Sequence, residues 1–418
     1  MSKVICGIDA AGAMYYDGIR RCLDGWAHGR RDIVALGMSL HDDFVYIDTA
    51  SKPASLIERM ATADRIAVDV EADSFHHYYE KVCLIQVAVN GGVYLVDPLA
   101  GLDLSQFAQV LGGRVLIFHD GGYDLRMLRQ SLAFEPQRGV FDTMLAAQLL
   151  GYREFGLSAL LKRFFDVNMV KTHQKANWSR RPLDKNLLSY AGEDVRYLHK
   201  LADMLEAELR ALGRLAWHEE SCREMVRAAQ VDKGPPDEER QWRIKGTRLL
   251  SRRQLACVRR LWYWREREAQ EADLPPFKII GNIQLIELAL WAERHPDTPL
   301  TRGPRLPRHF VNSRLERLAA AIAEAGRLPE SAWPKPLPCS PKPPTSEAFR
   351  RTVEILKDQC RQKAEALGIE PFVLAPRAML TSIVQHKPCD VGALVAASGA
   401  MHWQAEVIWP IVQRVVCS

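Results

Sequence analysis

The sequence predicts an α/β domain built on a mixed sheet, followed by one or two all-α domains. Three observations carry this reading. β-rich runs come early and then alternate with helical patterns: Arg65–Val70, Val82–Val89 and Val93–Asp97 come first, then Val115–Phe118 and Gly139–Phe141, each ahead of a helix. From Leu157 onward the apolar period is helical. Seven prolines between Pro329 and Pro344 mark an extended, semi-rigid spacer inside the helical half. At 418 residues, with 47% apolar and 26% charged residues, the chain is ordinary globular protein too long for a single core.

Residues 1–45 form an N-terminal extension without a motif, in which Arg20-Arg21 and Arg30-Arg31 interrupt weak apolar patterning. From Tyr46 the pattern sharpens. The first three strand runs are separated by turn or loop signals, including Asn90-Gly91-Gly92, and read as a three-strand meander. Val115–Phe118 adds a fourth strand before a helix at Tyr123–Leu132, and Gly139–Phe141 a fifth before a helix carrying Met144–Leu150. A helix at Leu157–Phe165 and a long one from Leu183 to Leu212 complete a domain spanning 46–215. Lys233-Gly234-Pro235-Pro236 sits in a linker placed at 216–239. A helical domain at 240–328, a Pro-rich linker at 329–346 and a second helical domain at 347–418 follow.

Net charge is only +5, but it is unevenly spread. Arg240 to Arg327 holds 18 Lys and Arg against 9 Asp and Glu, leaving the remainder of the chain acidic. A basic module beside an acidic one suits a protein that grips a polyanion and acts on it. The nine cysteines are scattered, without a Cys-x-x-Cys, which argues against a zinc site or a disulfide framework. Neither a secretory leader nor an apolar run near 18 residues is present, so a cytosolic protein with no membrane and no organic cofactor is expected.

Two short strings carry the chemistry. In Val68-Asp69-Val70-Glu71, strand alternation puts both carboxylates on one face and both valines in the core. In Tyr190-Ala191-Gly192-Glu193-Asp194, helical spacing puts Tyr190 and Asp194 on one face. Between them Asp124 stands just inside a helix start, after His119-Asp120-Gly121-Gly122-Tyr123. Converged, four carboxylates would repel one another unless cations neutralised them. Hard divalent ions prefer carboxylate oxygens, and a pair of them supports in-line hydrolysis of a phosphodiester. Taken singly, each string is a common solvated feature, and Asp124 alone could be a helix-dipole charge. Their ordered combination points to a two-metal nuclease.

That ordered set resembles the DEDDy 3′→5′ exonucleases of ribonuclease-H-like fold, and within them the ribonuclease D family. The resemblance covers roughly residues 46–212. It includes Leu84-Ile85-Gln86-Val87-Ala88, Gly156-Leu157-Ser158-Ala159-Leu160-Leu161, Lys171, and Trp178-Ser179-Arg180-Arg181-Pro182-Leu183 leading into Tyr190. It implies a five-stranded mixed sheet with flanking helices. It also implies two Mg²⁺ or Mn²⁺ ions, with Asp69 bridging both, Glu71 and Asp194 completing the nucleophile-side ion and Asp124 holding the second. Tyr190 would orient the attacking water. His119, Lys171, Trp178 and Arg181 are candidate substrate contacts; equally, Trp178 could pin its loop to the core and Arg181 pair with a local acid. The chain departs from the family after Glu71, where Asp73, His76 and His77 replace a more usual aromatic and arginine.

Downstream, Leu261-Trp262-Tyr263-Trp264-Arg265-Glu266, Asp273–Ile280 and Leu285 resemble an HRDC domain, a nucleic-acid-engaging helical module. Trp262, Trp264 and Trp291 also suit a plain helix core. Leu356, Cys360, Ala364, Leu367-Gly368-Ile369 and Pro376-Arg377 resemble a second, diverged copy. The resemblance implies a metal-dependent 3′→5′ exoribonuclease that trims RNA 3′ ends, tRNA precursors among them, and releases nucleoside 5′-monophosphates. A DNA exonuclease and a non-catalytic nucleic-acid adaptor are the alternatives.

Overall fold

Side-chain alternation builds the sheet, and burial on both faces fixes its centre. The computed structural model describes residues 44–417 apart from 50–52, 170–172, 174, 233, 235–236, 297, 309, 311–312 and 336–345. The N-terminal extension and most of the Pro-rich linker thus lie outside the described residues, as does Lys171. Six strands, β1 (Val45–Ile47), β2 (Arg65–Ala72), β3 (Val82–Val89), β4 (Gly92–Val96), β5 (Val115–Phe118) and β6 (Val140–Asp142), pair in the order β1-β4-β3-β2-β5-β6. β2, β3 and β4 form the expected antiparallel meander, while β1, β5 and β6 run parallel to their neighbours. The sheet therefore has six strands rather than five. β1 is only three residues long with Val45 half-exposed at the sheet edge, too short to show a period in the sequence.

In β2, Ile66, Val68 and Val70 face a core shared with α1 (Pro53–Thr62), α2 (Ser105–Gly112) and α3 (Gly122–Leu132). Asp69 and Glu71 face the other way, beside β3 residues Gln86 and Leu84 in the ladder. The ladder shifts register between Glu71 and Ala72, an irregularity of the kind that re-aims side chains next to sites. After α4 (Thr143–Leu150) and α5 (Leu157–Phe165), α6 (Lys185–Arg196) and α7 (Leu198–Ala211) pack on this second face.

Two expectations are corrected here. The long helix read from Leu183 to Leu212 is two helices that meet at Tyr197, which ends α6 and precedes α7. The apolar period runs through the junction, so periodicity alone hid it. Most of the segment read as linker is instead a 16-residue helix, α8 (Leu215–Gln230), packed against α3, α4 and β6. Its few fully buried positions, His218, Ser221 and Cys222, are not the aliphatic stripe that announces a packed helix.

Beyond the Gly-Pro break, α9 (Arg252–Glu271), α10 (Asn282–Arg294) and α11 (Ser313–Arg327) close on a second core. α9 starts in a capping box formed by Ser251 and Gln254. Trp262 and Trp264 are buried in this core and Trp291 packs at its margin. Part of the basic excess is spent internally, since buried Glu268 is held by both Arg314 and Arg317.

The last helices, α12 (Glu347–Leu367), α13 (Arg377–His386), α14 (Val391–Ser398) and α15 (His402–Val416), dock on α8. The Glu220 carboxylate accepts the backbone N–H groups of His402 and Trp403, capping α15 across the interface. Trp217 stacks on Trp403 with centroids 4.7 Å apart, and Arg214 donates to both Leu149 O and Leu367 O. Among the described residues no helix is long and apolar enough to cross a membrane.

Gly151 sits at this seam with φ +84°, and a Cβ there would lie 1.8 Å from Gly368 O. Gly151→Ala is expected to lose about 1–2 kcal/mol from backbone conformation alone and to loosen the C-terminal helices further. A lower first urea midpoint and earlier proteolysis near 368 would show this; an unchanged midpoint would contradict it.

Candidate active site

Three elements deliver the carboxylates. β2 brings Asp69 and Glu71 to its exposed end, α6 presents Tyr190 and Asp194 one turn apart, and the first turn of α3 carries Asp124. The turn into α3 is tightly built. A Cβ on Gly121 would stand 2.5 Å from the Phe118 side chain, so only glycine fits. Buried Asp142 accepts from Gly121 N at 2.9 Å and from Met144 N and Leu145 N at 2.9 Å each. One carboxylate thus ties the starts of α3 and α4 together and aims Asp124. Burial pushes Asp142 up to about 6, against the pull of those N–H donors.

Asp69, Glu71 and Asp194 each place an oxygen within 4.8 Å of the others. Asp124 stands beside them, buried, and feels the charges of Asp69 and Asp194. Burial raises Asp69 to about 7. Glu71, Asp124 and Asp194 are held well above the carboxylate range, first by burial and then by their neighbours' charges. The Tyr190 hydroxyl is hydrogen-bonded to Asp194, and burial with the surrounding negative charge keeps the phenol protonated. Tyr190 is also flanked by His173 and Trp178, at 5.6 Å and 6.3 Å between ring centroids. Asp69, Glu71, Tyr190, Asp194 and His119 line one cavity of about 580 Å³.

The substrate candidates fare differently. Trp178 is 1% exposed, so its faces are closed to a base; it walls Tyr190 instead. Arg181 donates from Nε and Nη2 to the Asp97 carboxylate at 2.6 Å each, and to the carbonyls of Trp178 and Cys83. For both residues the arrangement carries the local, structural reading rather than the substrate contact. Although burial alone would raise it, hydrogen bonds from Arg181 and Tyr46 hold Asp97 below the usual range.

His119 does line the cavity. Thr143 Oγ1 donates to Phe118 O, so it accepts from His119 Nδ1–H at 2.9 Å. That assignment leaves Nε2 as the ring's acceptor, and burial lowers the imidazole to about 4, keeping it neutral.

Asp73, His76 and His77, at the point where the sequence departs from the family, form a joint. Asp73 is fully buried and binds Lys81 N and Nζ. His77 bonds Asp273 at 2.6 Å and Ser179 at 2.7 Å, and His76 joins Lys175 O to Lys278 Nζ. Tyr78 hydroxyl reaches Glu266 and Gln270 on α9. The loop after the acidic strand is thereby tied both to the loop ahead of α6 and to the helical domain. Its partners lie about 100 and 200 residues away in sequence, a distance no local pattern reports.

The donor set suits divalent cations. Its ligand atoms are all carboxylate oxygens, enclosed and mutually repelling, and among the described residues lining the cavity there is no lysine or arginine to neutralise them.

Comparison with known proteins agrees with this geometry. The profile of the 3′-5′ exonuclease family matches residues 44–210, and that of the HRDC domain residues 254–299. Ribonuclease D of Nitrobacter hamburgensis is 31% identical over 352 residues, covering 83% of this chain and 90% of the relative. The chain belongs to the ribonuclease D family. Ribonuclease D of Jannaschia sp. is 30% identical over 81% of this chain and 88% of its own length. Among solved structures, the Escherichia coli RNase D, described as an exoribonuclease involved in structured RNA processing, superposes with a TM-score of 0.66 at 25% identity. It covers 90% of this chain and 99% of that one. A protein from Bifidobacterium adolescentis superposes with a TM-score of 0.76 at 26% identity over 90% of this chain and 97% of its own. Like its ribonuclease D relatives, the protein is a 3′→5′ exoribonuclease acting on RNA, and the family's dependence on divalent metal matches the carboxylate cluster.

The cluster makes metal-free stability fall with pH. Its carboxylates titrate higher folded than unfolded, so their stabilisation is full below about pH 4 and is lost as pH rises through the folded values, about 7 for Asp69. In EDTA the melting temperature is expected to drop between about pH 5 and 8, and saturating Mn²⁺ to remove the slope. A slope unaffected by Mn²⁺ in scanning fluorimetry would place its origin elsewhere.

Proposed function

We propose that Asp69, Glu71, Asp124 and Asp194 hold two divalent ions, Mg²⁺ or Mn²⁺, and that this site trims RNA 3′ ends one nucleotide at a time. The convergence of Asp69, Glu71 and Asp194 within 4.8 Å, beside Tyr190 on one cavity wall, carries this reading. Bound there, the ions supply charge neutralisation of the phosphodiester and an ionised water at neutral pH. A phenol with a raised pKa is a poor base, so the part left to Tyr190 is to orient the water through its hydroxyl. Trp178 and His173 hold that ring in place. Neutral His119, with Nε2 as acceptor, suits a sugar hydroxyl better than a phosphate oxygen. The leaving group is the 3′-oxygen of the penultimate residue, so the products are nucleoside 5′-monophosphates.

The natural substrates we infer are tRNA precursors with short 3′ extensions, and the compartment is the cytosol. The free thiols of Cys83, Cys222, Cys257 and Cys360 fit a reducing environment.

Asp69→Asn or Asp194→Asn is expected to cut turnover on the order of a thousandfold while leaving RNA affinity largely intact. A gel assay with 5′-labelled 3′-extended tRNA and a matched single-stranded DNA checks this. A stepwise RNA ladder lost in EDTA and in both variants is the expected result. Full turnover in either variant would break the site assignment, and a ladder mainly on DNA would break the substrate assignment.

A further inference from the structure

Exposed rings gather on a loop that is otherwise pinned down. Between β2 and β3, His76, His77 and Tyr78 are fastened inward, to Lys175 and Lys278, to Ser179 and Asp273, and to Glu266 and Gln270. Their neighbours turn outward: Phe75 is 49% exposed and Tyr79 65%. Tyr79 is braced edge-on against anchored Tyr78, with centroids 4.9 Å apart. Tyr123, 38% exposed, stands beside the same loop through hydrogen bonds to Ser74 and Glu80. On the helical domain, Phe277 is 57% exposed next to Lys278, which touches His76. Tyr123 is also partnered within the fold, with Arg126 over its ring at 4.9 Å, whereas Phe75 and Tyr79 leave most of their apolar surface in water.

Their place says what they meet. The loop begins after Ala72, which follows Glu71 at the end of β2, and Tyr123 immediately precedes Asp124. The loop is also tied through Ser179 and Lys175 to the segment whose His173 and Trp178 flank Tyr190, so it stands beside the cavity without lining it, where an RNA with its 3′ end inside would extend its upstream nucleotides. Two acids of the loop are paired with cations, Glu80 with Arg126 and Asp73 with Lys81, and Asp273 is hydrogen-bonded to His77. Lys278 brings its ammonium to the loop, 3.2 Å from His76 Nδ1, and exposed Lys175 is joined to the same imidazole through its carbonyl. Aromatic faces interleaved with cations are how single strands are held without sequence preference.

We propose that Phe75 and Tyr79, with Tyr123 and Phe277 beside them, form a stacking shelf for the single-stranded RNA upstream of the scissile bond. The shelf sets how strongly a strand is held as a function of its length. It rests on the active-site reading above, since the strand must enter that cavity 3′ end first.

The test uses the full chain with Mn²⁺ and single-stranded RNAs from a dinucleotide to a dodecamer. Wild-type KM is expected to fall with length. In Phe75→Ala/Tyr79→Ala it should fall much less, with KM for the dodecamer raised about tenfold or more. Saturated turnover and dinucleotide cleavage should stay unchanged, and Tyr79→Phe, which keeps the ring, should behave as wild type. Three results would overturn the shelf. One is an unchanged length dependence in the double variant. Another is an equal loss on dinucleotide and dodecamer, which would mean the loop supports the chemistry rather than the strand. The third is unchanged kinetics with loss of self-association on a sizing column, which would give the rings to a second copy of the chain. Dinucleotide cleavage surviving Asp69→Asn would instead count against the active-site reading, separately from the shelf.

Discussion

Like charges crowded where water screens them poorly are the constraint around which the rest of this site is arranged. Asp69, Glu71, Asp124 and Asp194 come from three elements of the fold, and each raises the cost of ionising the others. Side chains alone would splay apart. They stay together because each sits on backbone committed elsewhere: β2 is paired on both edges, and the α3 turn is tied down through Asp142. A scaffold that pays for such a cluster is one whose working state includes cations, which is why the same geometry suits metal-dependent hydrolysis.

A second layer of polar contacts keeps the mouth of the site rigid. Arg181 fastens the loop ahead of α6 to Asp97 at the end of β4, and His76, His77 and Tyr78 fasten the loop after β2 to the basic helical domain. The helical domain is therefore joined to the sheet domain through the loop after β2, which is itself tied to the loop ahead of α6. The C-terminal helices hold a different wall, through α8 and the Arg214, Trp217 and Glu220 contacts. Charge counting from sequence suggested a basic face for nucleic acid. The structure assigns some of those cations to internal partners such as Glu268, so fewer are available to phosphates than the excess implies.

Legibility followed the range of each interaction. The Asp69/Glu71 and Tyr190/Asp194 pairs were readable because strands repeat every two residues and helices bring residues four apart together. The meander was readable because its turns and alternation are local. β1 escaped because three residues carry no period, α8 because its buried positions include His218 and Ser221, and the break at Tyr197 because the apolar stripe continues across it. Trp178 and Arg181 were ambiguous for a different reason. The same side chains serve a base and a phosphate or a core and a carboxylate, and only tertiary contacts decide: Asp97, 84 residues away, takes Arg181, and burial closes Trp178.

By itself, then, the sequence determined the fold class and the family, and it put Asp69 with Glu71 and Tyr190 with Asp194 on common faces, all of which is written in local spacing and in the order of short strings. Tertiary structure alone decided that the carboxylates converge, that His119 offers an acceptor to the cavity, and that His76 and His77 serve as a joint while Phe75 and Tyr79 face outward. Those outcomes depend on contacts between residues far apart in the chain. Which partner a polar or aromatic side chain meets is set by packing, and no local pattern records it.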